Sequence, residues 1–353
     1  MSIMMREIEE QPEALARTLG EEFGRIEQFR RTLERRPPSV VALVARGTSD
    51  NAALFGRYLL EMTTGVPVSL AAPSVLTLYR ARMRWQGALV VGISQSGESR
   101  DINLFLEAAR RGGALTVGVT NEASSAMTRV ADEVFLVRAG KERSLAATKT
   151  YTSQLLMMYL LAYALGAPLE PRWLKKIPAQ AARALKHTSA LRALAERCRY
   201  MDHAVVVGRG LNYANAFEFA LKMMETCYVV AERFSSADFL HGPIALVERA
   251  FPVFVFAPPG PTWPGTRAML VKLRRLEAET VVISDATNAS SFDYAPRAIR
   301  VPGRMTAPPG LPADLFTPIP YIIPAQVFTA LLADQKGLNP DRPRTLTKVT
   351  KTV

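Results

Sequence analysis

The sequence is poor in the residues that bind metals or form disulfides. It has two cysteines and three histidines among its 353 residues. Cys198 and Cys227 do not form a C-x-x-C motif, so neither a disulfide framework nor a zinc site is indicated. Because His187, His203 and His241 are scattered along the chain, we expect no metal and no cofactor.

Long apolar runs are also missing. No stretch reaches the roughly 20 apolar residues that a membrane-spanning helix requires. Residues 1–7 lack the order of charged and then apolar residues that marks a signal peptide. With so few cysteines, these absences predict a cytoplasmic protein that does not act at a membrane.

The charge is strongly positive, at +12, with 44 lysines and arginines against 32 acidic residues. Such an excess raises the possibility of a nucleic-acid partner. The basic residues are instead spread along predicted helices, and no helix-turn-helix precedes the first strand. We therefore expect no nucleic-acid partner and only a modest attraction for anionic ligands.

The most informative segment is an apolar run that ends in a serine-rich loop. Residues 88–93 are typical of a buried parallel strand, and a helix is predicted from about Ile102. The loop between them contains Ser94-Gln95-Ser96-Gly97-Glu98-Ser99. A helix N-terminus offers unpaired backbone N–H groups to a phosphate, and the loop adds neutral donors without any lysine. The alternative is a serine-rich turn that only caps the helix.

A strand-and-helix unit occurs twice in the chain. Strands are predicted near residues 40–47, 66–70, 88–93 and 115–119, and again near 204–210, 229–231, 252–256 and 280–283. Strands that alternate with helices predict parallel sheets covered on both faces. We therefore predict an α/β fold of two tandem doubly wound, flavodoxin-like domains.

The predicted boundaries follow from this repeat. They are an N-terminal helical segment at 1–34 that packs on the first domain or across a dimer, a first domain at 35–167, a helical connector at 168–200, a second domain at 201–337 and an extended tail at 338–353. The N-terminal helix is predicted from Ile8 to Leu33, with Pro12 at its start.

The two copies differ where the serine loop would recur. The second copy has Ala257-Pro258-Pro259-Gly260-Pro261-Thr262 at that point. Proline has no N–H donor, and most of the hydroxyls are gone. We therefore expect the first copy to bind a phosphate and the second to supply chemistry.

Glu218, Lys222 and Glu225 follow the second copy's first strand at i, i+4 and i+7. This spacing places them on one face of a helix. Leu221 and Tyr228 flank Glu225, so we expect it to be partly desolvated, as suits a group that transfers protons. The alternative is a surface ladder of weak ion pairs.

Five motifs, taken in order, resemble those of the sugar isomerase (SIS) family. They are Gly47-Thr48-Ser49, the serine loop, Ala147-Thr148-Lys149, His241-Gly242-Pro243 and the tail from Pro343 to Thr350. The resemblance runs from about residue 35 to the C-terminus. It points to the isomerase half of glucosamine-6-phosphate synthase and to stand-alone SIS-type glucosamine-6-phosphate deaminases.

The resemblance implies roles for particular residues. Glu225 matches the base that moves a proton between C1 and C2, and Glu218 and Lys222 match residues of the sugar site. His241 matches the group that opens the sugar ring from the partner subunit of a homodimer, and Lys348 matches a lysine that forms an imine. The implied sugar and phosphate contacts are Gly47, Thr48, Ser49, Ser94, Gln95, Ser96, Ser99, Leu145, Ala146 and Ala147.

Some positions depart from the family pattern. Ala147 lacks the hydroxyl of the usual serine, and Ser99 replaces a threonine but keeps its hydroxyl. Met224 stands where a second lysine is common, and Thr347 replaces a small apolar residue. The first of these places one sugar contact in doubt.

The resemblance implies the conversion of glucosamine 6-phosphate into fructose 6-phosphate and ammonia in a homodimer with a shared active site. The sequence shows no glutaminase domain, which favours deamination over synthesis. A fructosamine-phosphate deglycase, the isomerase subunit of a glutamine-dependent synthase and a non-catalytic sugar-phosphate sensor remain alternatives.

Overall fold

The computed structural model describes residues 1–186 and 188–345. These residues form two compact units. The first-sheet unit comprises residues 13–142 and 149–175, and the second-sheet unit comprises residues 1–12, 143–148 and the described residues from 176 onward. No pattern in the sequence predicts that residues 143–148 belong with the second sheet.

Thirteen helices and strands lie within residues 1–175. In chain order they are α1 (Ile3–Glu9), α2 (Gln11–Arg35), β1 (Val40–Val44), α3 (Thr48–Thr64), β2 (Val68–Leu70), α4 (Pro73–Thr77), β3 (Ala88–Ile93), α5 (Arg100–Arg111), β4 (Leu115–Thr120), α6 (Met127–Val130), β5 (Glu133–Leu136), α7 (Lys149–Ala164) and α8 (Pro171–Leu174).

The remaining described residues continue the same alternation. They form α9 (Ile177–Ala184), α10 (Thr188–Arg197), β6 (His203–Val207), α11 (Tyr213–Cys227), β7 (Val230–Phe234), α12 (Ser236–Leu240), β8 (Pro252–Phe256), α13 (Trp263–Arg275), β9 (Glu279–Asp285), β10 (Arg297–Val301) and α14 (Pro318–Gln335), with 3-10 turns at Cys198–Tyr200, Gly210–Asn212, Pro243–Leu246 and Ala286–Tyr294.

The two sheets have the same topology. The strand orders are β2-β1-β3-β4-β5 and β10-β9-β8-β6-β7, and the second order repeats the first when it is taken from its other edge. All of the pairings are parallel. The predicted fold class of two doubly wound, flavodoxin-like domains is confirmed.

One fully buried helix follows each sheet. Every residue of α7 is buried, and α14 is buried from Pro318 to Ala333. A helix with neighbours on all sides needs no polar face, which explains their apolar sequences. The close packing of α3 against α7 depends on Gly56, where a Cβ would lie 2.8 Å from Met158 Sδ.

The N-terminal segment forms two helices, whereas the sequence predicts one. The predicted start at Pro12 is confirmed for α2, since proline is tolerated in the first helical turn. The expectation that the segment packs on the first domain is wrong for α1, which groups with the second sheet, and the alternative of packing across a dimer stays a prediction. The first-turn amides of α1 at Ile3 and Met4 donate to the Asp341 carboxylate at 2.6 and 2.8 Å, which secures α1 within the second-sheet unit.

Candidate active site

The serine loop lies at the carboxyl end of β3 in the first-sheet unit. Its neighbour there is β1, and Val44 at the end of β1 pairs with Gly92. The chain leaves the sheet in opposite directions from these two strands. In open α/β sheets, the crevice at such a switch point is the usual place for a ligand.

Hydrogen bonds shape the serine loop from within. The buried Ser94 hydroxyl lies 3.0 Å from Ser99 Oγ and accepts from the Gly97 amide at 3.2 Å. Ser99 is the N-cap residue of α5, but its side chain makes no capping bond. In the first turn of α5, the Ile102 amide donates to Asp101 Oδ1 at 2.9 Å, which leaves the amides of Arg100 and Asp101 for another acceptor. The Ser99 hydroxyl does not cap the helix, which argues against a loop with capping as its only role.

The serine loop is also held from outside. Gly97 has a positive φ of 63°, and a Cβ there would lie 2.1 Å from Ser125 Oγ, so only glycine fits. Asn103 Nδ2 donates to the Gly97 carbonyl at 3.0 Å, and Glu98 Oε1 accepts from the Ala126 amide at 2.8 Å. The loop is thus preorganised between α5 and the segment after β4.

The Gly47-Thr48-Ser49 motif forms the start of α3, which begins at Thr48. Gly47 is the N-cap residue and has a φ of 55°. Ser49 Oγ accepts from Gln154 Nε2 at 2.9 Å. Sequence reasoning missed Gln154, whose only signal is a polar side chain within the apolar run of α7.

A second residue that the sequence did not reveal is Arg46, which precedes Gly47. Its Nε lies 2.8 Å from Oδ2 of Asp101, in the first turn of α5. The sequence predicts only neutral donors around the serine loop, because the loop itself has no basic residue. The structure corrects this, since β1 brings a guanidinium to the N-terminus of α5.

The predicted sugar contacts Leu145, Ala146 and Ala147 lie in the second-sheet unit. Their segment is secured by Glu7 of α1, whose carboxylate accepts from the amides of Arg143 and Ser144. The predicted site residues are therefore divided between the two units.

Helix α11 carries Glu218, Lys222 and Glu225 in the second-sheet unit. Lys222 Nζ lies 3.4 Å from Glu218 Oε1 and 2.6 Å from Glu225 Oε2. The Lys222 and Glu218 side chains are 1% and 0% exposed, and that of Glu225 is 24% exposed. A surface ladder of ion pairs is therefore the wrong interpretation for Glu218 and Lys222, and Glu225 is the partly exposed member of the three.

The core determines how α11 is oriented. Phe219 is fully buried, and its ring lies edge-on to Phe254, Phe256 and Phe328 at centroid distances of 5.2, 6.2 and 5.9 Å. This cluster fixes the rotation of the helix about its axis, because aromatic rings of this size pack in few ways. The three charged side chains are held on one face as a result.

His241 is exposed at the C-terminal end of α12. Its backbone amide donates to the Asp238 carbonyl at 3.0 Å, and the following Gly242 has a φ of 145°. The imidazole is thus presented to solvent, as the Gly-Pro turn predicts.

Lys348 lies outside the described residues. The described part of the tail reaches α11 at Arg344, whose amide donates to Tyr228 Oη at 2.8 Å. The Arg344 guanidinium lies 4.4 Å from the centre of the Tyr228 ring, a cation–π distance. The tail is therefore attached three residues beyond Glu225.

Both halves of the chain match the model of one known protein family. The model of the SIS domain matches residues 38–164 and again residues 200–327. The chain belongs to the SIS family. The two matches coincide with the two parallel sheets, which confirms the resemblance that the five sequence motifs carry.

Relatives of this SIS protein include the glutamine–fructose-6-phosphate aminotransferase [isomerizing] of Methanothermobacter thermautotrophicus. The two are 34% identical over 348 residues, which is 98% of this chain and 56% of that enzyme. The chain thus spans little more than half the length of this curated relative.

Two solved SIS structures are similar over almost the whole chain. One is the C-terminal domain of glucosamine-fructose-6-phosphate aminotransferase from Francisella tularensis, with a TM-score of 0.86, 27% identity, and coverage of 97% of this chain and 98% of that one. The other is a candidate phosphosugar isomerase from Silicibacter pomeroyi, with a TM-score of 0.85, 33% identity, and coverage of 97% and 100%.

In the second SIS copy, the turn after β6 packs closely against residues from later in the chain. A Cβ on Gly210, after β6, would lie 3.0 Å from Thr262 Cγ2 and 4.0 Å from Asp314 Oδ2. Asp314 is 2% exposed, and burial raises the pKa of its carboxyl to about 6. A buried carboxylate at this point disfavours an anionic ligand, which supports the expectation that the second copy lacks a phosphate site.

Two features are absent from the parts of the SIS chain that the structure describes, residues 1–186 and 188–345. No group of three or more histidine, cysteine or acidic side chains lies within them in an arrangement that could hold a metal ion. No helix in those parts combines the length and the apolar character needed to cross a membrane.

Proposed function

We propose that this SIS protein is an aldose–ketose isomerase that acts on glucosamine 6-phosphate and releases fructose 6-phosphate and ammonia. The observation that carries the proposal is the cluster on α11, where buried Glu218 and Lys222 hold the partly exposed Glu225. A carboxylate in this setting is suited to proton transfer next to a carbonyl group.

The serine loop supplies the phosphate site in this proposal. Ser94, Ser96 and Ser99 and the first-turn amides of α5 form a set of neutral donors at a helix N-terminus. The loop is rigid before the ligand arrives, because Gly97 and Glu98 are secured by neighbouring segments. Binding therefore costs little ordering of the loop.

The chemistry requires no net oxidation or reduction. After ring opening, the Glu225 carboxylate removes the proton from C2 while O1 takes up a proton, which gives an enol amine. The proton held by Glu225 is then returned to C1, so that C1 becomes an alcohol carbon and C2 carries a protonated imine. Water then adds to C2 and the C2–N bond breaks. The products are fructose 6-phosphate and ammonia, and Lys222 orients the carboxylate throughout.

Two further roles belong to the proposal. The exposed His241 opens the sugar ring in the active site of the partner subunit, so that the functional unit is a homodimer. Lys348 forms an imine with the keto sugar. The hydrogen bond between Arg344 and Tyr228 supports the role of Lys348, because it attaches the tail three residues beyond Glu225 in the chain.

A second candidate is the isomerase half of a glutamine-dependent synthase. The alignment with an aminotransferase over 98% of the chain favours it. In that function, ammonia derived from glutamine is added to fructose 6-phosphate, and Glu225 moves the proton in the opposite direction.

Incubation with glucosamine 6-phosphate tests the proposal. We expect equal amounts of ammonia and fructose 6-phosphate, and neither product from Glu225→Gln. Synthesis of glucosamine 6-phosphate that requires glutamine and an added glutaminase would favour the second candidate. Turnover of fructosamine 6-phosphate alone would indicate a deglycase, and tight binding without any turnover would indicate a sensor.

A further inference from the structure

Arg46 connects the two loops at the switch point of the first sheet. It follows β1 and precedes Gly47, the N-cap residue of α3. Its Nε lies 2.8 Å from Oδ2 of Asp101, which is 2% exposed in the first turn of α5. The guanidinium is thereby fixed at the helix N-terminus that follows the serine loop.

Arg46 and the serine loop follow the ends of neighbouring strands. Val44, the last residue of β1, pairs with Gly92, and Arg46 and Ser94 each come two residues later in the chain. Asp101 engages Nε, which leaves the two terminal nitrogens of the guanidinium as further donors. The Arg46 side chain is 51% exposed, so a ligand has access to it.

The ion pair between Arg46 and Asp101 also balances the charge at the N-terminus of α5. A buried carboxylate at the N-terminus of α5 would by itself repel a phosphate from the helix dipole. Arg46 offsets the Asp101 charge. Asp50, four residues after Arg46, is the other acidic group near the guanidinium; burial raises the pKa of its carboxyl and the Arg46 charge lowers it.

We propose that Arg46 donates hydrogen bonds to the phosphate dianion of the bound sugar phosphate, and that Asp101 is the positioning residue that aims the guanidinium. This inference rests on the proposed function and adds a cationic ligand to its otherwise neutral phosphate site. Guanidinium groups bind phosphate oxygens in pairs, so one arginine here also restricts the orientation of the phosphate.

The alternative is a purely structural ion pair that joins β1 to α5. Both readings predict that Arg46→Gln lowers stability, because it leaves the buried Asp101 carboxylate without its partner. They differ in the double variant Arg46→Gln/Asp101→Asn, which removes both charges. If the pair is purely structural, the double variant regains wild-type affinity together with stability. If Arg46 binds the phosphate, the double variant regains stability but still binds more weakly than the wild type, because only the repulsion by Asp101 has been removed.

The experiment measures fructose 6-phosphate binding by calorimetry, at low and high salt, together with the melting temperature. We expect Arg46→Gln to weaken binding about 10- to 100-fold and to reduce its salt dependence, and Arg46→Lys to retain part of the affinity. The matched control is Arg57→Gln, an exposed arginine of α3 that pairs with Glu61 at 3.6 Å. It should bind as the wild type does.

We expect the double variant to melt above Arg46→Gln while still binding fructose 6-phosphate more weakly than the wild type. Wild-type affinity in Arg46→Gln, or affinity restored in the double variant, would overturn the assignment of Arg46 and leave the proposed function intact. A wild-type protein that binds no fructose 6-phosphate would overturn the proposed function and this inference with it.

Discussion

Lys222 Nζ lies 2.6 Å from Glu225 Oε2 and 3.4 Å from Glu218 Oε1, on a helix face where the lysine is 1% exposed. A buried ammonium group is stable only with close partners, because removal from water costs it several kcal/mol. The pair with Glu225 therefore fixes the carboxylate that we propose as the base.

Lys222→Met should destabilise the protein, because it leaves the Glu218 carboxylate buried without its cation. We expect a loss of about 3–5 kcal/mol in the free energy of unfolding, measured by urea denaturation. Adding Glu218→Gln should recover part of it, since the remaining buried group is then neutral. Equal stabilities of Lys222→Met and the wild type would contradict this account of the cluster.

Glu225→Gln should separate binding from turnover. The amide keeps the shape and accepts a hydrogen bond from Lys222, but it cannot take up the C2 proton. We expect fructose 6-phosphate to bind normally while kcat falls by about 100-fold or more. The control is Glu232→Gln, an exposed carboxylate of β7. A Glu225→Gln enzyme with substantial activity would assign the base elsewhere.

Gly97→Ala should abolish phosphate binding, and Gly113→Ala should not. Both glycines have a positive φ, of 63° and 91°, so alanine strains both by about 1–2 kcal/mol. Only at Gly97 would the added Cβ collide, at 2.1 Å from Ser125 Oγ. Calorimetry with fructose 6-phosphate measures the affinity of each variant, and the melting temperature measures its stability. Equal affinities and equal melting temperatures would show that the two variants are affected by backbone strain alone.

Asp314→Asn should stabilise the protein at pH 7 to 8. Burial raises the pKa of Asp314 from 3.8 to about 6, so folding favours its protonated form. The stability that this proton supplies is complete below about pH 4 and is lost as the pH rises through about 6.

The asparagine stays neutral, so its advantage over the wild type should grow over that range to about 2–3 kcal/mol. Urea unfolding at pH 4, 6 and 8 measures it, with the exposed Asp293→Asn as the control. Parallel pH profiles for Asp314→Asn and the wild type would refute the assignment.

Co-expression of Glu225→Gln with His241→Ala should restore activity that neither variant has alone. In a homodimer with shared sites, a hybrid pairs one intact glutamate with one intact histidine. Random mixing yields up to about a quarter of wild-type activity. If co-expressed hybrids stay inactive while both variants remain dimeric, His241 does not act across the interface.

Local patterns were sufficient for much of the fold. The strands at Ala88–Ile93 and Pro252–Phe256 agree with the sequence prediction. Apolar runs and helical spacing act over a few residues, and the prolines at 258 and 259 remove donors wherever the chain places them. The spacing of Glu218, Lys222 and Glu225 likewise determined their common face.

Contacts between distant residues were decided only by the tertiary structure. Arg46 meets Asp101 across 55 residues of chain, and Ser49 meets Gln154 across 105. Spacing along one helix also could not show that Lys222 is buried, since its burial depends on what packs against α11. The sequence by itself determined eight of the ten strands and where the serine loop lies. The parallel sheet brings together the carboxyl ends of strands that are far apart in the sequence. This arrangement decided which side chains surround that loop.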